Sequence, residues 1–399
     1  MSRQVYLDYA ATTYTAPEVV EAMAPYFTES FGNPSSIYSF SDRNRKAMTK
    51  AREQVAAVLG ASQDEIFFTG SGTESDNWAL KGTVWKLAAK GKDHIITTKI
   101  EHHAILHTGE FLQRQGYDVT YLPVDEEGRV RLEDLKKAVT DRTALVSIMF
   151  ANNEIGTIQP IAEIGAFCRE RGILFHTDAV QAVAHVPIDV QAMNIDMLSL
   201  SAHKFYGPKG IGAMYLRKGT RIENFIHGGG QEKGRRASTE NVAGIVGLGK
   251  AIEQTASRMA ESAPRITTLR DMLVDGVMKA VPHAKLNGAP SGERLPNNAN
   301  FSFVGIEGET MLLDLDRAGI YGSTGSACSS GSLDPSHVLM AIGLSHEQAH
   351  GSLRLTLGEE TTGEDIRYVL SVLPDIVAQR RAMSPLWEDY LKGLQKESR

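Results

Sequence analysis

Residues 196–210 read Asp-Met-Leu-Ser-Leu-Ser-Ala-His-Lys-Phe-Tyr-Gly-Pro-Lys-Gly, and this stretch decides the fold prediction. The first five residues predict a buried strand, and the glycines and proline at the end cannot continue a regular element. Lys204 is therefore expected at the end of a strand, beside a loop. A lysine that is partly desolvated there has an amine available for Schiff-base chemistry, whereas the alternative is an ordinary solvated surface lysine.

Short apolar runs rich in β-branched residues alternate with helical patterns on both sides of this stretch. They predict seven strands, at residues 65–69, 94–97, 119–122, 144–149, 173–177, 196–200 and 211–216. Strands that alternate with helices favour right-handed crossovers and an α/β fold whose mainly parallel seven-stranded sheet is covered on both faces. A ligand then binds at the carboxyl ends of the strands.

The pattern changes in the last part of the chain. A long helical stretch is followed by predicted strands near residues 299–303 and 352–357, with helices between and after them. This arrangement is typical of an α+β unit. We therefore expect a large α/β domain at residues 16–259 and a smaller α+β domain formed by residues 1–15 and 260–399.

Composition narrows the class of function. The 399 residues include 42 Lys and Arg against 48 Asp and Glu, a formal net charge of -6. Without a dense basic run, this balance argues against nucleic acid or an anionic membrane surface as the main partner and favours a small-molecule site. The polar N-terminus, and the absence of an apolar run long enough to span a bilayer, predict a cytoplasmic protein.

The chain has only two cysteines, which argues against a disulfide framework. Cys168 falls in a helical pattern and is expected to be an ordinary packed residue. Cys328 falls in the Gly- and Ser-rich stretch 322–332, which cannot pack as a core element and predicts a mobile loop. A thiol in such a loop is a candidate nucleophile, with a plain surface cysteine as the alternative.

Polar motifs follow several of the predicted strands. Gly70-Ser71-Gly72-Thr73 follows the first strand and opens a helix, so that it forms either a phosphate-binding cup or a simple helix cap. His102 and two further histidines follow the second strand. Their spacing matches no recognised zinc ligand set, which leaves a histidine cluster on a helix surface or an imidazole stacked on an aromatic cofactor.

Charged residues mark the later strand ends and the smaller unit. Asp178 closes the fifth strand, where it either caps a helix or pairs with a cation such as the pyridine nitrogen of pyridoxal phosphate. Arg354 is either an exposed strand arginine or the group that holds a substrate carboxylate by two hydrogen bonds. The Gly-rich, basic stretch 227–239 provides a second phosphate contact or is merely a flexible connection.

Taken together, these segments resemble the NifS/IscS-type cysteine desulfurases, pyridoxal-phosphate enzymes of the class V aminotransferase group with the fold type I architecture. The match runs nearly end to end, from residues 6–13, Tyr-Leu-Asp-Tyr-Ala-Ala-Thr-Thr, to residues 384–387, Ser-Pro-Leu-Trp. The resemblance implies a sulfurtransferase that removes sulfur from L-cysteine, giving L-alanine and a protein-bound persulfide.

The same resemblance implies the catalytic roles. Lys204 is similar to the lysine that forms the Schiff base with pyridoxal 5'-phosphate and carries the Cα proton. His102 is similar to the histidine that stacks on the cofactor ring and acts as a general acid/base, and Cys328 to the nucleophile that receives the sulfur. Asn153 and Arg354 match the positions that hold the substrate carboxylate.

Cofactor contacts are implied residue by residue. The positions that match the family's cofactor-binding residues are Gly72, Thr73, His102, Asn153, Asp178, Gln181, Ser201, His203, Lys204 and Thr239. Among them, Asp178 corresponds to the partner of the pyridine nitrogen and Gln181 to the donor to the ring hydroxyl. Thr239 corresponds to a residue that reaches the cofactor of the neighbouring subunit, which implies a homodimer, and no metal is expected.

Other readings of the same motifs stay open. A selenocysteine lyase or an aminotransferase uses the same fold but does not need Cys328, and a non-catalytic scaffold needs neither Cys328 nor Lys204. The stretch Ile-Tyr-Ser-Phe-Ser at residues 37–41 lacks the family's histidine and glycine, and the C-terminal tail lacks the ending by which housekeeping members engage their scaffold. The sulfur acceptor is therefore open between an iron-sulfur or nitrogenase-related scaffold and a tRNA-thiolation carrier.

Overall fold

A computed structural model describes residues 3–324 and 335–397 of the chain. Cys328, the predicted nucleophile, lies outside the described residues. The strands are β1 (Val5–Tyr6), β2 (Ile66–Thr69), β3 (His94–Thr98), β4 (Asp118–Leu122), β5 (Thr143–Ser147), β6 (Leu174–Asp178), β7 (Met197–Ser201), β8 (Gly212–Leu216), β9 (Ala284–Leu286), β10 (Asn298–Phe303), β11 (Ile320–Tyr321) and β12 (Ser352–Thr356).

Helices alternate with the strands in the first part of the chain and dominate the last. They are α1 (Pro17–Met23), α2 (Pro25–Thr28), α3 (Asp42–Leu59), α4 (Gly72–Leu87), α5 (His103–Arg114), α6 (Leu132–Ala138), α7 (Ile161–Arg171), α8 (Gln231–Gly234), α9 (Val242–Ala280), α10 (Gly308–Arg317), α11 (His337–Ala341), α12 (His346–His350), α13 (Gly363–Ala382) and α14 (Pro385–Glu397). In the part of the chain that the structure describes, no helix combines the length and the apolarity that crossing a bilayer requires.

The seven predicted strands form one sheet, in the order β2-β8-β7-β6-β5-β3-β4. All neighbours pair in parallel except β8, which is antiparallel to both β2 and β7. The prediction of an α/β fold with a mainly parallel seven-stranded sheet is confirmed. A second sheet, β12-β10-β9, is antiparallel, and β1 pairs with β11 alone.

Strand alternation determines what each face of the large sheet contacts, because successive side chains point to opposite faces. Ile96, Val146 and Leu198 pack in a core cluster with residues of α3, α7 and α9. Their neighbours Ile95 and Leu145 pack in a different cluster, with residues of α4 and α5. Both faces of the sheet are therefore covered, as the sequence predicted.

Helix α9 begins at Val242, where the side chain of Asn241 accepts a hydrogen bond from the backbone N–H of Gly244 and caps the helix. The first half of α9 packs in the core of the large sheet. Its second half packs with β10, β12 and α13 in a separate cluster. The domain boundary expected near residue 259 falls within this helix, and the domain division stays a prediction.

Two largely buried ion pairs fasten the Gly-rich stretch 227–239 to helices α3 and α4. Glu232 is buried and accepts hydrogen bonds from both terminal nitrogens of Arg52, each 2.8 Å long, and from the backbone N–H of Phe68. Arg236 donates two hydrogen bonds to Glu74, in the first turn of α4. This stretch is therefore tied to α3 and α4.

We expect Arg52→Ala to destabilise the fold by about 3–5 kcal/mol, because it leaves the Glu232 carboxylate buried without its counter-ion. Arg43→Ala is the matched control, since Arg43 lies on the same helix in an exposed ion pair with Glu29 and should change stability by less than about 1 kcal/mol. Urea denaturation of the two variants measures the difference. Equal midpoints would show that the Arg52–Glu232 pair contributes nothing.

Candidate active site

A cavity of about 330 Å³ lies where β5, β6 and β7 end and α4 begins, a volume typical of small-molecule sites. Ten of the predicted site residues line it, namely Gly72, Thr73, His102, Asn153, Asp178, Gln181, Ser201, His203, Lys204 and Arg354. These residues come from distant parts of the chain. The fold therefore brings together what the sequence could only suggest separately.

Lys204 follows β7 and its side chain enters the cavity instead of pointing to the surface. Its Nζ donates hydrogen bonds to the carbonyl oxygens of Ala10 and Ala11, at 2.5 and 2.7 Å. A ring nitrogen of His185 contacts the backbone carbonyl of Lys204 at 3.0 Å. Two residues further on, buried Tyr206 has a positive φ of 64°, a strained conformation for an aromatic residue. The lysine is thus held on a constrained turn.

Asp178 is the last residue of β6 and is buried. Its Oδ1 accepts a hydrogen bond from the backbone N–H of Val180, 3.0 Å away, and the chain then continues in turns. Burial raises the pKa of Asp178 to about 6, opposed by the Val180 hydrogen bond and by the charge of Lys204. The ionised carboxylate therefore needs a positive partner inside the cavity.

The α4-facing side of the sheet becomes polar toward the carboxyl ends of its strands. Strand pairing places Ser147 beside His176, and Asp178 beside Ser199. The His176 ring contacts the hydroxyl of Ser147 at 2.8 Å and that of Ser199 at 3.0 Å. Burial lowers the pKa of His176 to about 3, so its ring is neutral near pH 7. This row of polar groups leads from the sheet interior to the cavity.

Asp76 lines the same cavity but was not predicted as a site residue. It lies in the second turn of α4 and is 1% exposed. The one sequence feature that could have pointed to Asp76 is its position, one turn into the helix that follows the candidate phosphate cup. Ligand atoms of Asp76, His102 and Asp178 lie within 4.8 Å of one another, a spacing that also suits a metal ion. The expectation of no metal stays a prediction.

His102 caps α5, because its Nδ1 accepts a hydrogen bond from the backbone N–H of Ala104 at 3.1 Å. Burial, assisted by the charge of Lys204, lowers the pKa of His102 to about 4. Near pH 7 the ring is therefore neutral and carries its proton on Nε2. The neighbouring His103 and His107 stack on each other at 4.9 Å between ring centroids and do not line the cavity. Of the three histidines, only His102 belongs to the site.

The N-terminus of α4 forms part of the cavity wall. The Ser71 hydroxyl accepts a hydrogen bond from the backbone N–H of Glu74, so Ser71 caps the helix. Gly72 and Thr73 nevertheless line the cavity. A Cβ at position 72 would lie 2.6 Å from the side chain of Val180, which explains why glycine stands there. The stretch is both a helix cap and a candidate anion site at a helix start.

Arg354 enters the cavity from β12 and is 2% exposed, so the alternative of an exposed strand arginine is wrong. One terminal nitrogen donates to Oδ1 of Asp8 at 2.9 Å, and the other donates to the backbone carbonyl of Asn153 at 3.1 Å. The guanidinium thus holds together the N-terminal segment and the loop after β5. A substrate carboxylate at this place would meet a fixed, charged donor.

One predicted residue lies elsewhere. Thr239 lines a different cavity, of about 200 Å³, together with Gly70 and Arg236. Its expected contact with the cofactor of a neighbouring subunit stays a prediction.

The family model of the class-V aminotransferases matches residues 5–369. Cysteine desulfurase IscS of Clostridium botulinum is 65% identical over 398 residues and covers 100% of both chains. IscS of Methanosarcina thermophila is 57% identical over 385 residues, 96% of this chain and 95% of its own. The chain belongs to the class-V aminotransferase family. Within that family, these relatives place it among the NifS/IscS-type cysteine desulfurases.

Solved structures of this family are similar in fold. A NifS-like protein superimposes with a TM-score of 0.88 at 42% identity and covers 94% of this chain and 100% of its own. SspA in complex with cysteine has a TM-score of 0.80 at 39% identity and covers 90% and 100%. The recognition made from sequence motifs, of a NifS/IscS-type class-V aminotransferase, is confirmed.

Glu154 is a further buried acid of this class-V aminotransferase, next to Asn153. Its Oε2 accepts a hydrogen bond of 2.5 Å from the hydroxyl of Ser336, which in turn caps α11 by accepting from the backbone N–H of Leu339. Burial raises the pKa of Glu154 to about 7, opposed by the Ser336 hydrogen bond and by the charge of Arg354. Folding therefore disfavours the ionised form of Glu154.

We expect Glu154→Gln to stabilise the protein at alkaline but not at acidic pH. As pH rises from the unfolded-state pKa of 4.5 to the folded-state pKa of about 7, only the wild type loses stability. The variant should match the wild type near about pH 4 and exceed it by roughly 3 kcal/mol above about pH 8. Urea denaturation at the two pH values tests this. The exposed control Glu163→Gln should show no such pH-dependent gain.

Proposed function

We propose that this protein is a pyridoxal-phosphate-dependent cysteine desulfurase that converts L-cysteine to L-alanine and carries the released sulfur as a persulfide on Cys328. The observation that carries the proposal is the presence of Lys204, Asp178 and Arg354 in one cavity. An amine, a buried carboxylate and a fixed guanidinium are the groups that this chemistry requires. The structure of SspA in complex with cysteine, a relative of similar fold, agrees with the substrate.

The residues that line the cavity fit pyridoxal 5'-phosphate. Gly72 and Thr73 at the start of α4, with Ser201 and His203, would hold the phosphate, because free N–H groups at a helix N-terminus favour an anion. Asp178, a buried carboxylate without a positive group directly hydrogen-bonded to it in the described residues, would hold the protonated ring nitrogen.

Three further residues complete the proposed cofactor site. Gln181 would donate to the ring hydroxyl, His102 would cover the ring, and the amine of Lys204 would form the Schiff base. The side-chain amide of Gln181 donates to the carbonyl oxygen of Ala10 at 3.0 Å, and Lys204 donates to the same oxygen. Both side chains are thus anchored by the same N-terminal segment.

The protein's own groups then perform the binding and proton-transfer steps. Arg354 and Asn153 hold the substrate carboxylate, which fixes the Cα–H bond near Lys204. The Lys204 amine, once the substrate amine has displaced it from the Schiff base, would accept the Cα proton and later return a proton to the product. Pyridoxal phosphate, when bound, would supply the electron withdrawal that makes Cα acidic. Neutral His102 would donate a hydrogen bond from Nε2–H to the substrate sulfur.

Sulfur transfer completes the reaction. The Cys328 thiolate attacks the substrate sulfur, so that a new S–S bond forms as the Cβ–S bond breaks and its electron pair stays with carbon. Cβ then takes up a proton, and L-alanine leaves. We propose a protein acceptor for the persulfide, either an iron-sulfur scaffold or a tRNA-thiolation carrier, in a cytoplasmic homodimer in which Thr239 reaches the partner's cofactor.

We expect purified protein to bind pyridoxal phosphate and to turn yellow, because Lys204 forms a Schiff base that absorbs visible light. Adding L-cysteine should change the spectrum and yield sulfide and alanine in equal amounts under reducing conditions. Lys204→Ala should lose the covalent link and all turnover. A coloured protein that yields neither product would contradict the substrate, and a protein that cannot be loaded would contradict the cofactor.

The two cysteines provide a matched pair of variants. Cys328→Ala should lose essentially all sulfide release, because the sulfur has no acceptor thiol, while the spectrum of the bound cofactor stays unchanged. Cys168→Ala should retain activity, since Cys168 is fully buried and burial raises the pKa of its thiol to about 12. Sulfide and alanine assays measure both. Turnover by Cys328→Ala at the wild-type rate would refute the role of this residue.

A further inference from the structure

Two of the described residues that line the cavity carry carboxyl groups, Asp76 and Asp178, and only Asp178 has a role in the proposed mechanism. Asp76 and Asp178 approach each other within 4.8 Å, and both are buried. Oδ1 of Asp76 has no hydrogen-bond partner among the described residues and lies 3.7 Å from Nε2 of His176. A buried carboxylate oxygen without a donor is costly if the group is ionised.

The groups around Asp76 do not supply a balancing positive charge. His176 and His102 are neutral near pH 7, because burial lowers the pKa of the first to about 3 and that of the second to about 4. Glu101, a further buried acid nearby, has its pKa raised by burial to about 8. The charge of Lys204 lowers the pKa of Asp178, whereas the charges of Asp178 and Glu101 raise the pKa of Asp76.

Burial is the largest influence on the pKa of Asp76, and the negative charge of Asp178 is the second. Both raise this pKa well above the usual range, and the Ser199 hydroxyl only partly lowers it. Two carboxylates this close in a buried site cannot both ionise readily, and the pair then shares a single negative charge. The ionised form is better stabilised at Asp178, because Asp178 accepts a hydrogen bond from the backbone N–H of Val180 and the positive charge of Lys204 lowers its pKa.

We infer that Asp76 is a positioning residue that keeps its proton in the folded protein and so leaves the negative charge of the pair on Asp178, oriented toward the cofactor ring nitrogen. This inference rests on the proposed cofactor site. An ionised Asp76 would divide the attraction for the ring proton between two carboxylates. A protonated Asp76 does not compete for that proton, and the hydroxyls of Ser147 and Ser199 and the neutral ring of His176 beside it add no charge.

Infrared spectroscopy tests the protonation directly, because the C=O stretch of a carboxylic acid is separate from the bands of a carboxylate. At neutral pH, the difference spectrum of wild type minus Asp76→Asn should contain a protonated-carboxyl band. Glu101→Gln serves as the control, since it removes only the band of Glu101. If Asp76→Asn removes no such band, Asp76 is ionised and the inference is wrong.

Cofactor binding tests the positioning role. Asp76→Asn, a neutral variant of the same shape, should bind pyridoxal phosphate within about twofold of wild type with the same absorption maximum. Asp76→Ala should bind at least about tenfold more weakly, because it removes the polar side chain that lies within 4.8 Å of Asp178 and leaves a space in the cavity wall. Equal affinity of Asp76→Ala and wild type would overturn the role.

Infrared measurements on the protein without cofactor distinguish a failure of the proposed cofactor from a failure of the inference about Asp76. If wild type does not bind pyridoxal phosphate, the proposed cofactor fails, and with it the orientation of Asp178 toward a ring nitrogen. The infrared band, recorded without cofactor, still decides whether Asp76 keeps its proton.

Discussion

A carboxylate buried at the end of a parallel strand requires a positive charge, and much of the site follows from this requirement at Asp178. Burial raises the pKa of Asp178 to about 6, and the Val180 N–H and the charge of Lys204 only partly offset that rise. The proposed cofactor, with its protonated ring nitrogen, would supply the missing charge. That ring would then lie in the same cavity as the amine of Lys204.

The register of the sheet explains why polar groups collect at this point. The side chains of Ser147, His176 and Ser199 face α4 from neighbouring strands. The apolar residues next to them along each strand point to the other face of the sheet and pack in the core there. Because parallel strands end at the same edge, the polar row opens into one cavity. Helix α4 closes it, and only glycine at position 72 allows its first turn to approach Val180 so closely.

The cavity is completed by segments that are far apart in the chain. Asp8 and Ala10 come from the N-terminal segment, Asn153 from the loop after β5, and Arg354 from β12. Hydrogen bonds from Arg354 and Lys204 join them. A substrate bound between Arg354 and Lys204 would therefore contact both the large sheet and the smaller antiparallel sheet.

The sequence by itself determined the alternation of strands and helices, and so the parallel sheet, because the periodicity of apolar residues is a local property. Motifs at the strand ends also identified Lys204, Asp178 and the family, since each motif is contiguous. Tertiary structure alone decided that Arg354 is buried and that Asp76 lies beside Asp178. Those contacts join residues roughly 100 to 350 positions apart, and no local pattern records the distance between two such side chains.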